Sequence, residues 1–578
     1  MNMRYRWTTL IMVLLLPTWL FCQDDKELAP VSRTYAITNV NIIQAPGRKI
    51  EMGTVVIKDG LITAVGKGVS IPPEAIVIKA DSMSVYAGFI DGLTHAGVVK
   101  PKEETKDKIK DPGNPPPDRA GITPQLDVRN FLNPSDKALE ELRGLGFTTA
   151  QVVPHGNLLP GSAAIVLTGA PSSDAMVLIS KSALYSELTG ANNIYPATIL
   201  GVMAKWRDLY RQAVQAKSYE GMYAANRTGL ERPTSERTLE AFYPVIDQKI
   251  PVLFRTEKML DANRVLTLKN DLSFSLMLAE LKDGWPMINK IKASGAKVFL
   301  SLDLPEEIKT TEKKDASTVS ASAIKKADST KLASTTPASK TKTPADLEKE
   351  ALEKRKAEAI ANYAGQASSF QKAGILFGFS TMSAKSKDIR ANLRRMIKAG
   401  LTEDAALAAL TTTPAQLLGL SDRMGTVDNG KMANLVITDK SYFNEKAKVR
   451  YVFVDGVMYK MEMKVAKKSD GTTKVEIEGS WSTTTQSPQG NSEGKLTFKK
   501  DGSGYTGTIS GGRIPAPVDL KDISLDGATL TFNYNLNFGA NAVKVEVELT
   551  VDGDTLKGTT TVGTFGSFPM EGTKDPKY

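Results

Sequence analysis

Histidine is nearly missing from this chain: its 578 residues hold two, His95 and His155. A site that gathers three imidazoles around one ion is therefore out of reach. Cysteine is scarcer still, with Cys22 alone. No disulfide can form within the chain, so stability has to come from the size of the core, for which 41% hydrophobic content is ample. Long apolar runs are lacking too. Leu10 to Phe21 is too short to cross a bilayer as a helix, so no transmembrane span is expected. Nor does the formal charge of +10 point to nucleic acid, because the basic residues are dispersed and no DNA- or RNA-reading motif accompanies them.

What is present begins with a leader. Arg4 and Arg6 precede that apolar run, and Gln23-Asp24-Asp25-Lys26 follows it, the three-part layout of a signal peptide over residues 1–22. The expected location is therefore periplasmic or extracellular. A lipid anchor through Cys22 is the alternative, although Trp19-Leu20-Phe21 is bulky where lipoprotein leaders carry small residues.

From residue 23 to 87 the pattern is short and β-like, with runs at Tyr35 to Ile43, Thr54 to Lys58, Leu61 to Gly66 and Ala75 to Lys79. Asp59-Gly60 between two of them is a hairpin signal. These strands are too few to close a core, and their partners lie far downstream in 422–464, at Gly425 to Ile437 and Val449 to Tyr459. Between the flanks, residues 88–421 mix buried-strand runs with amphipathic helices. Residues 305–344 collapse into Lys, Ser, Thr, Ala and Asp, which predicts a flexible insertion in a loop, and helix resumes over 345–363. Residues 465–578 alternate apolar and polar residues between Asp-Gly turns, as an antiparallel β-barrel or sandwich would.

Two stretches carry a family resemblance. Ala87-Gly88-Phe89-Ile90-Asp91-Gly92-Leu93-Thr94-His95 resembles the first barrel strand of the amidohydrolase superfamily, written P-G-x-I-D-x-H-x-H. Gly425-Thr426-Val427-Asp428-Asn429-Gly430-Lys431-Met432-Ala433-Asn434-Leu435-Val436 resembles its sandwich signature, G-x-V-x-x-G-K-x-A-[DN]-L-V. The chain is similar to the imidazolonepropionase-related branch. The resemblance implies an α/β fold: a (β/α)8 TIM-like barrel with a flanking β-sandwich formed by both ends of the region. It also implies hydrolysis of non-peptide C–N bonds with zinc or another divalent metal.

The residues depart from that chemistry. The resemblance puts the first strand's ligand pair at Leu93 and His95, the fifth-strand histidine near Glu257, the sixth-strand histidine near Leu278, and the eighth-strand aspartate at Ser380. Only His95 survives as a clear ligand position, so no metal and no cofactor are expected. Asp91 braces its strand in this family. Arg255 and Glu257 share a strand face and can pair, filling the space of metal and water. Ser380 has no base marked beside it in the sequence. His155 falls in the loop after the second strand, on the face where barrel enzymes work. Two readings follow. The first is a pseudoenzyme whose barrel binds a small molecule, an active amidohydrolase paralogue or a second copy of itself. The second is an active hydrolase with an atypical or weak metal site assembled from Asp91, His95, His155 and Glu257.

Overall fold

The computed structural model describes residues 33–101, 109–307, 344–461, 476–487, 490–502, 504–512, 514–538, 541–562 and 566–575. The leader assigned to residues 1–22 lies outside them, as do residues 308–343 of the low-complexity insertion. The chain divides into two compact units, residues 1–461 and 462–578.

The first unit is built on an eight-stranded barrel sheet. Its strands are β1 (Phe89–Thr94), β2 (Phe147–Val152), β3 (Gly161–Leu167), β4 (Val177–Glu187), β5 (Val252–Arg255), β6 (Leu276–Leu281), β7 (Lys297–Ser301) and β8 (Phe377–Ser380). These runs are apolar on both faces because both faces are buried: helices cover the outside and side chains fill the inside. Neighbouring strands are parallel except around β3, which runs antiparallel to β2 and β4. The barrel therefore carries one reversal, made by the short connection 153–160 that returns the chain without a crossover helix.

Two apolar layers hold it. Phe89, Phe147, Val252, Phe254, Leu278 and Phe379 pack outward against the helices. Ile90, Leu93, Leu253, Met277 and Phe299 fill the interior. The packing explains one glycine of the motif. A Cβ on Gly92 would lie 2.0 Å from the Phe299 ring, so any side chain there would have to displace the barrel's central plug.

The two flanks meet as expected. Leu435–Thr438 pairs antiparallel with Ser84–Ala87, joining strands from both ends into a second eight-stranded sheet around Ile37, Val55, Ile62, Val85 and Phe453. Asp59 and Gly60 both take positive φ, 51° and 82°, in the hairpin between Arg48–Lys58 and Leu61–Gly66. After β8, helix Ser386–Lys398 leads to helix Glu403–Leu410, whose Thr402 side chain accepts from the Ala405 amide as an N-cap.

The second unit is a nine-stranded antiparallel sheet, nearly closed into a barrel. Its edge strands, Ile514–Asp519 and Lys521–Asp526, are consecutive in the chain, which is what brings the edges together. Trp481 is fully buried in its core and donates Nε1–H to the Ile477 carbonyl at 2.9 Å, so it plugs the interior. Among the described residues no helix is long and apolar enough to cross a membrane.

Candidate functional site

The mouth of the barrel is where strand ends deliver polar side chains out of apolar runs. On β1, Leu93 is fully buried within the interior cluster. A methyl-tipped side chain thus occupies the position where the resemblance places the first metal ligand. Asp91 is also fully buried. Its Oδ1 accepts from the backbone amides of Leu93 at 3.2 Å and Thr381 at 3.1 Å, and its Oδ2 accepts from the Thr381 hydroxyl. Thr381 follows β8, and β1 and β8 are the two ends of the barrel sheet with no backbone ladder between them. The Asp91 carboxylate therefore clasps the open seam. Burial pushes it up to about 7, against its three donors and with the Glu280 charge adding to the rise.

Glu280 is the residue that sequence reasoning missed. The sixth-strand position was expected near Leu278, but Leu278 points into the outer, helix-facing layer. The pairing of β6 with β7 breaks between Leu278 and Leu281, and Glu280 takes φ 61° in that break. Its buried carboxylate accepts from Ser301 at 2.5 Å and from Ser380 at 2.7 Å. A base does stand beside Ser380, then, contrary to the sequence reading. Ser380 and Glu280 are both fully buried, and burial holds the Glu280 carboxyl above its ordinary range, so the hydroxyl serves as a donor inside the wall.

A chain of charges crosses the ends of β4 to β7. Arg255 donates from Nη1 to Glu187 at 3.4 Å and from Nη2 to Glu257. Lys282 reaches Glu257 at 3.3 Å and Asp303 at 2.7 Å. Tyr185 donates its hydroxyl to Glu187 at 2.5 Å. Burial alone would raise the Glu257 carboxyl, but Arg255 and Lys282 outweigh it and hold the group below its usual range. The Tyr185 hydroxyl is pushed well up, by burial first and then by Glu187.

The two histidines of the chain meet. Their rings stack with centroids 3.9 Å apart and planes 20° from parallel. His95 Nδ1 faces the Val153 carbonyl at 3.0 Å, and His155 Nε2 faces the Val98 carbonyl at 3.2 Å. A carbonyl can only accept, so each of those nitrogens carries the hydrogen, which sets both tautomers. The pair laces the segment after β1 to the segment after β2. Both rings are held neutral: burial first, then the neighbouring imidazole, depresses His95 to about 4, and burial lowers His155 as well.

The five candidates are therefore not one cluster. His95 and His155 stand together, Glu257 belongs to Arg255 and Lys282, Ser380 to Glu280, and Asp91 to Thr381. Among the described residues, no group of three or more His, Cys, Asp or Glu side chains is arranged to hold a metal ion. The donor set does not fit a divalent cation, since Leu93 offers no lone pair and the carboxylates already have cationic or hydroxyl partners.

Residues 253–459, from β5 through the downstream strands of the sandwich, match the model of the amidohydrolase family. The barrel and its sandwich have the amidohydrolase fold. A solved amidohydrolase from Thermotoga maritima MSB8 superposes with a TM-score of 0.56 at 18% identity, over 74% of this chain and 100% of that one. A prolidase complexed with N-methylphosphonate-L-proline gives 0.40 at 14% identity over 74% of this chain and 100% of its own. A molinate hydrolase gives 0.38 at 14% identity over 74% of this chain and 94% of its own. No curated protein matches the sequence. The family match starts within β5, so Leu93 on β1 and His95 just after it lie outside the matched range.

Proposed function

We propose that this protein is an exported, imidazolonepropionase-like member of the amidohydrolase superfamily that has lost the catalytic metal site. Its barrel mouth works as a binding surface for a small molecule or for an active amidohydrolase partner. The carrying observation is the guanidinium of Arg255, seated between Glu187 and Glu257. A fixed cation of the chain's own neutralises the mouth carboxylates, which removes the electrostatic reason for a bound one. Leu93 in the apolar interior and His95 turned onto a backbone carbonyl support the same reading. The two buried carboxyls, Asp91 and Glu280, already accept from hydroxyl or amide donors, which leaves neither free to act as a general base on a water.

Export rests on the leader pattern of residues 1–22, with lipid attachment through Cys22 as the alternative outcome of processing. Mass spectrometry of the mature N-terminus decides between a chain that starts at Gln23 and an acylated Cys22.

A second reading is favoured by the family match over residues 253–459: a hydrolase of non-peptide C–N bonds with a weak site. The two separate on elemental analysis of the purified protein. The proposal expects zinc, manganese and iron well below one equivalent. One tightly held equivalent, removed by chelator together with hydrolytic activity, would establish the second reading instead. For the partner, co-purification with an amidohydrolase encoded next to it, one that keeps both first-strand histidines, is the expected result.

A further inference from the structure

The end of the barrel opposite the mouth holds a cavity of about 670 Å3, framed where the chain enters β5, β6 and β7. Its size is that of a small-molecule pocket. Lys249, Lys269 and Lys297 line it, and no carboxylate does among the described residues. Three like charges around one space repel one another, so the fold either bears that repulsion or has it relieved by something bound. The frame itself is fixed. Gln248 and Ser273 take φ of 58° and 57° in the turns before β5 and β6. The Gln248 amide donates to the Ser273 carbonyl at 2.8 Å and accepts from the Ser275 hydroxyl at 2.7 Å, which ties the two turns together.

Relief from within the chain is partial. Lys249 reaches Asp247 at 3.3 Å, but Lys217 holds the same carboxylate. Lys297 donates to the Leu417 carbonyl at 2.6 Å, where helix Thr412–Leu417 ends. Lys269 lies in the last turn of helix Met259–Leu272 and has no ion pair among the described residues. Helix C-termini gather at this end of a barrel, and each carries only about half a negative charge, which answers less than the lysines bring. An ammonium also has three hydrogens, so Lys297 keeps two after serving Leu417. Burial alone lowers the Lys297 ammonium below its ordinary range, with no carboxylate opposing the fall. Asn270 and Ser273 add an amide and a hydroxyl to the lining, and neither side chain has a partner among the described residues.

We propose that this cavity binds a phosphomonoester, with the Lys269 and Lys297 ammoniums on the phosphate oxygens and Asn270 and Ser273 donating beside them. The charge count selects that group. A phosphomonoester carries about two negative charges at neutral pH and three oxygens that accept strongly, whereas a carboxylate brings one charge and two oxygens. Lysine meets phosphate as a point charge, without the planar fork that carboxylate pairing favours. Pro251, Phe274 and Leu276 give apolar surface to the body of the ligand. Two sources carry the same group, a soluble ester such as glycerol phosphate and the headgroup of a lipid such as phosphatidic acid. The site lies at the far end of the barrel from the mouth, and the proposal holds whether or not the mouth binds or hydrolyses anything.

Calorimetric titration of the purified full-length chain with glycerol phosphate, beside co-sedimentation with vesicles that contain phosphatidic acid, tests the proposal and separates the sources. Saturable binding to at least one probe is expected, and none to glycerol or to vesicles of neutral lipid. Lys297→Met and Lys269→Glu should each weaken it by at least about tenfold, the loss of one charge-assisted contact. Glutamate is a good helix former, so Lys269→Glu should keep the parent's circular dichroism, which covers the case in which Lys297→Met unfolds. Lys58→Met, which removes a surface charge on the sandwich, should bind as the parent does. Failure of both probes to bind, parent-like binding by Lys269→Glu, or an equal loss in Lys58→Met would overturn the proposal.

Discussion

The flanking sandwich and the barrel mouth are built from adjacent stretches of chain, yet they use charge in opposite ways. On the sandwich two ion pairs lie at the surface, Arg48–Asp428 at 2.7 Å and Lys58–Glu74 at 3.4 Å, where each partner could be solvated instead. At the mouth, Arg255, Glu187, Glu257 and Lys282 are partly withdrawn from water and answer one another across three strands. The first kind decorates a fold that apolar packing already fixes. The second kind is structural, because removing a member strands a charge that water reaches poorly.

That contrast can be broken, and the largest effect should come from restoring the motif. Leu93→His places an imidazole among Ile90, Leu253 and Phe299 without a partner, so it should destabilise the protein by about 3 kcal/mol in urea titration. It should gain no metal, because the other ligands do not converge there. Next in size, Arg255→Met should destabilise by about 2 kcal/mol, a value reduced for the partial exposure of the pair. Restored stability in the triple variant Arg255→Met, Glu187→Gln, Glu257→Gln would show that stranded charge, and not lost packing, is the cause.

A subtler effect lies in pH. Between about pH 4 and 7 the folded chain keeps a proton on Asp91 that the unfolded chain has released, so this group makes stability fall as pH rises. Between about pH 4 and 6.5 the unfolded chain binds a proton on His95 that the folded chain refuses, so this group makes stability fall as pH drops. The slopes oppose, and in the parent protein they should largely cancel. Asp91→Asn, whose amide can still donate to the Thr381 hydroxyl, should unmask a rise in stability from pH 4 to 6.5, and His95→Gln a decline from pH 4 to 7. Each slope should approach about 1.4 kcal/mol per pH unit where the proton difference is complete. Identical profiles for the two variants would contradict these assignments. The smallest change is expected on the sandwich: Lys58→Ala should shift stability by less than about 0.5 kcal/mol.

How far the sequence carried differs between these regions for physical reasons. The sandwich strands and the Asp59-Gly60 hairpin were legible because period-two apolar patterning and turn chemistry are local signals, and the joining of residues 23–87 with 422–464 was legible through the family resemblance of the downstream signature. The Arg255–Glu257 pair was legible too, since both lie on one strand two residues apart. Glu187, Lys282 and Glu280 were not, because what recruits them is contact between strands separated by many residues. Glu280 further depends on a break in strand pairing, which shifts the expected position away from Leu278 and leaves no mark in composition. The reversal of β3 was hidden for a similar reason: a fully buried run reads the same in either direction. That the chain's two histidines would stack on one another was equally beyond the sequence, which placed both near the mouth but set neither ring's partner.

The central claim is that the chain's own cations and hydrogen-bond donors hold the mouth closed to a metal. Anomalous scattering at the zinc edge, from crystals grown with excess zinc, tests it most directly. The account predicts no anomalous peak coordinated by Asp91, His95, Glu257 or Glu280, with Arg255 still paired to Glu257. A strong peak there, coordinated by those side chains, would contradict it.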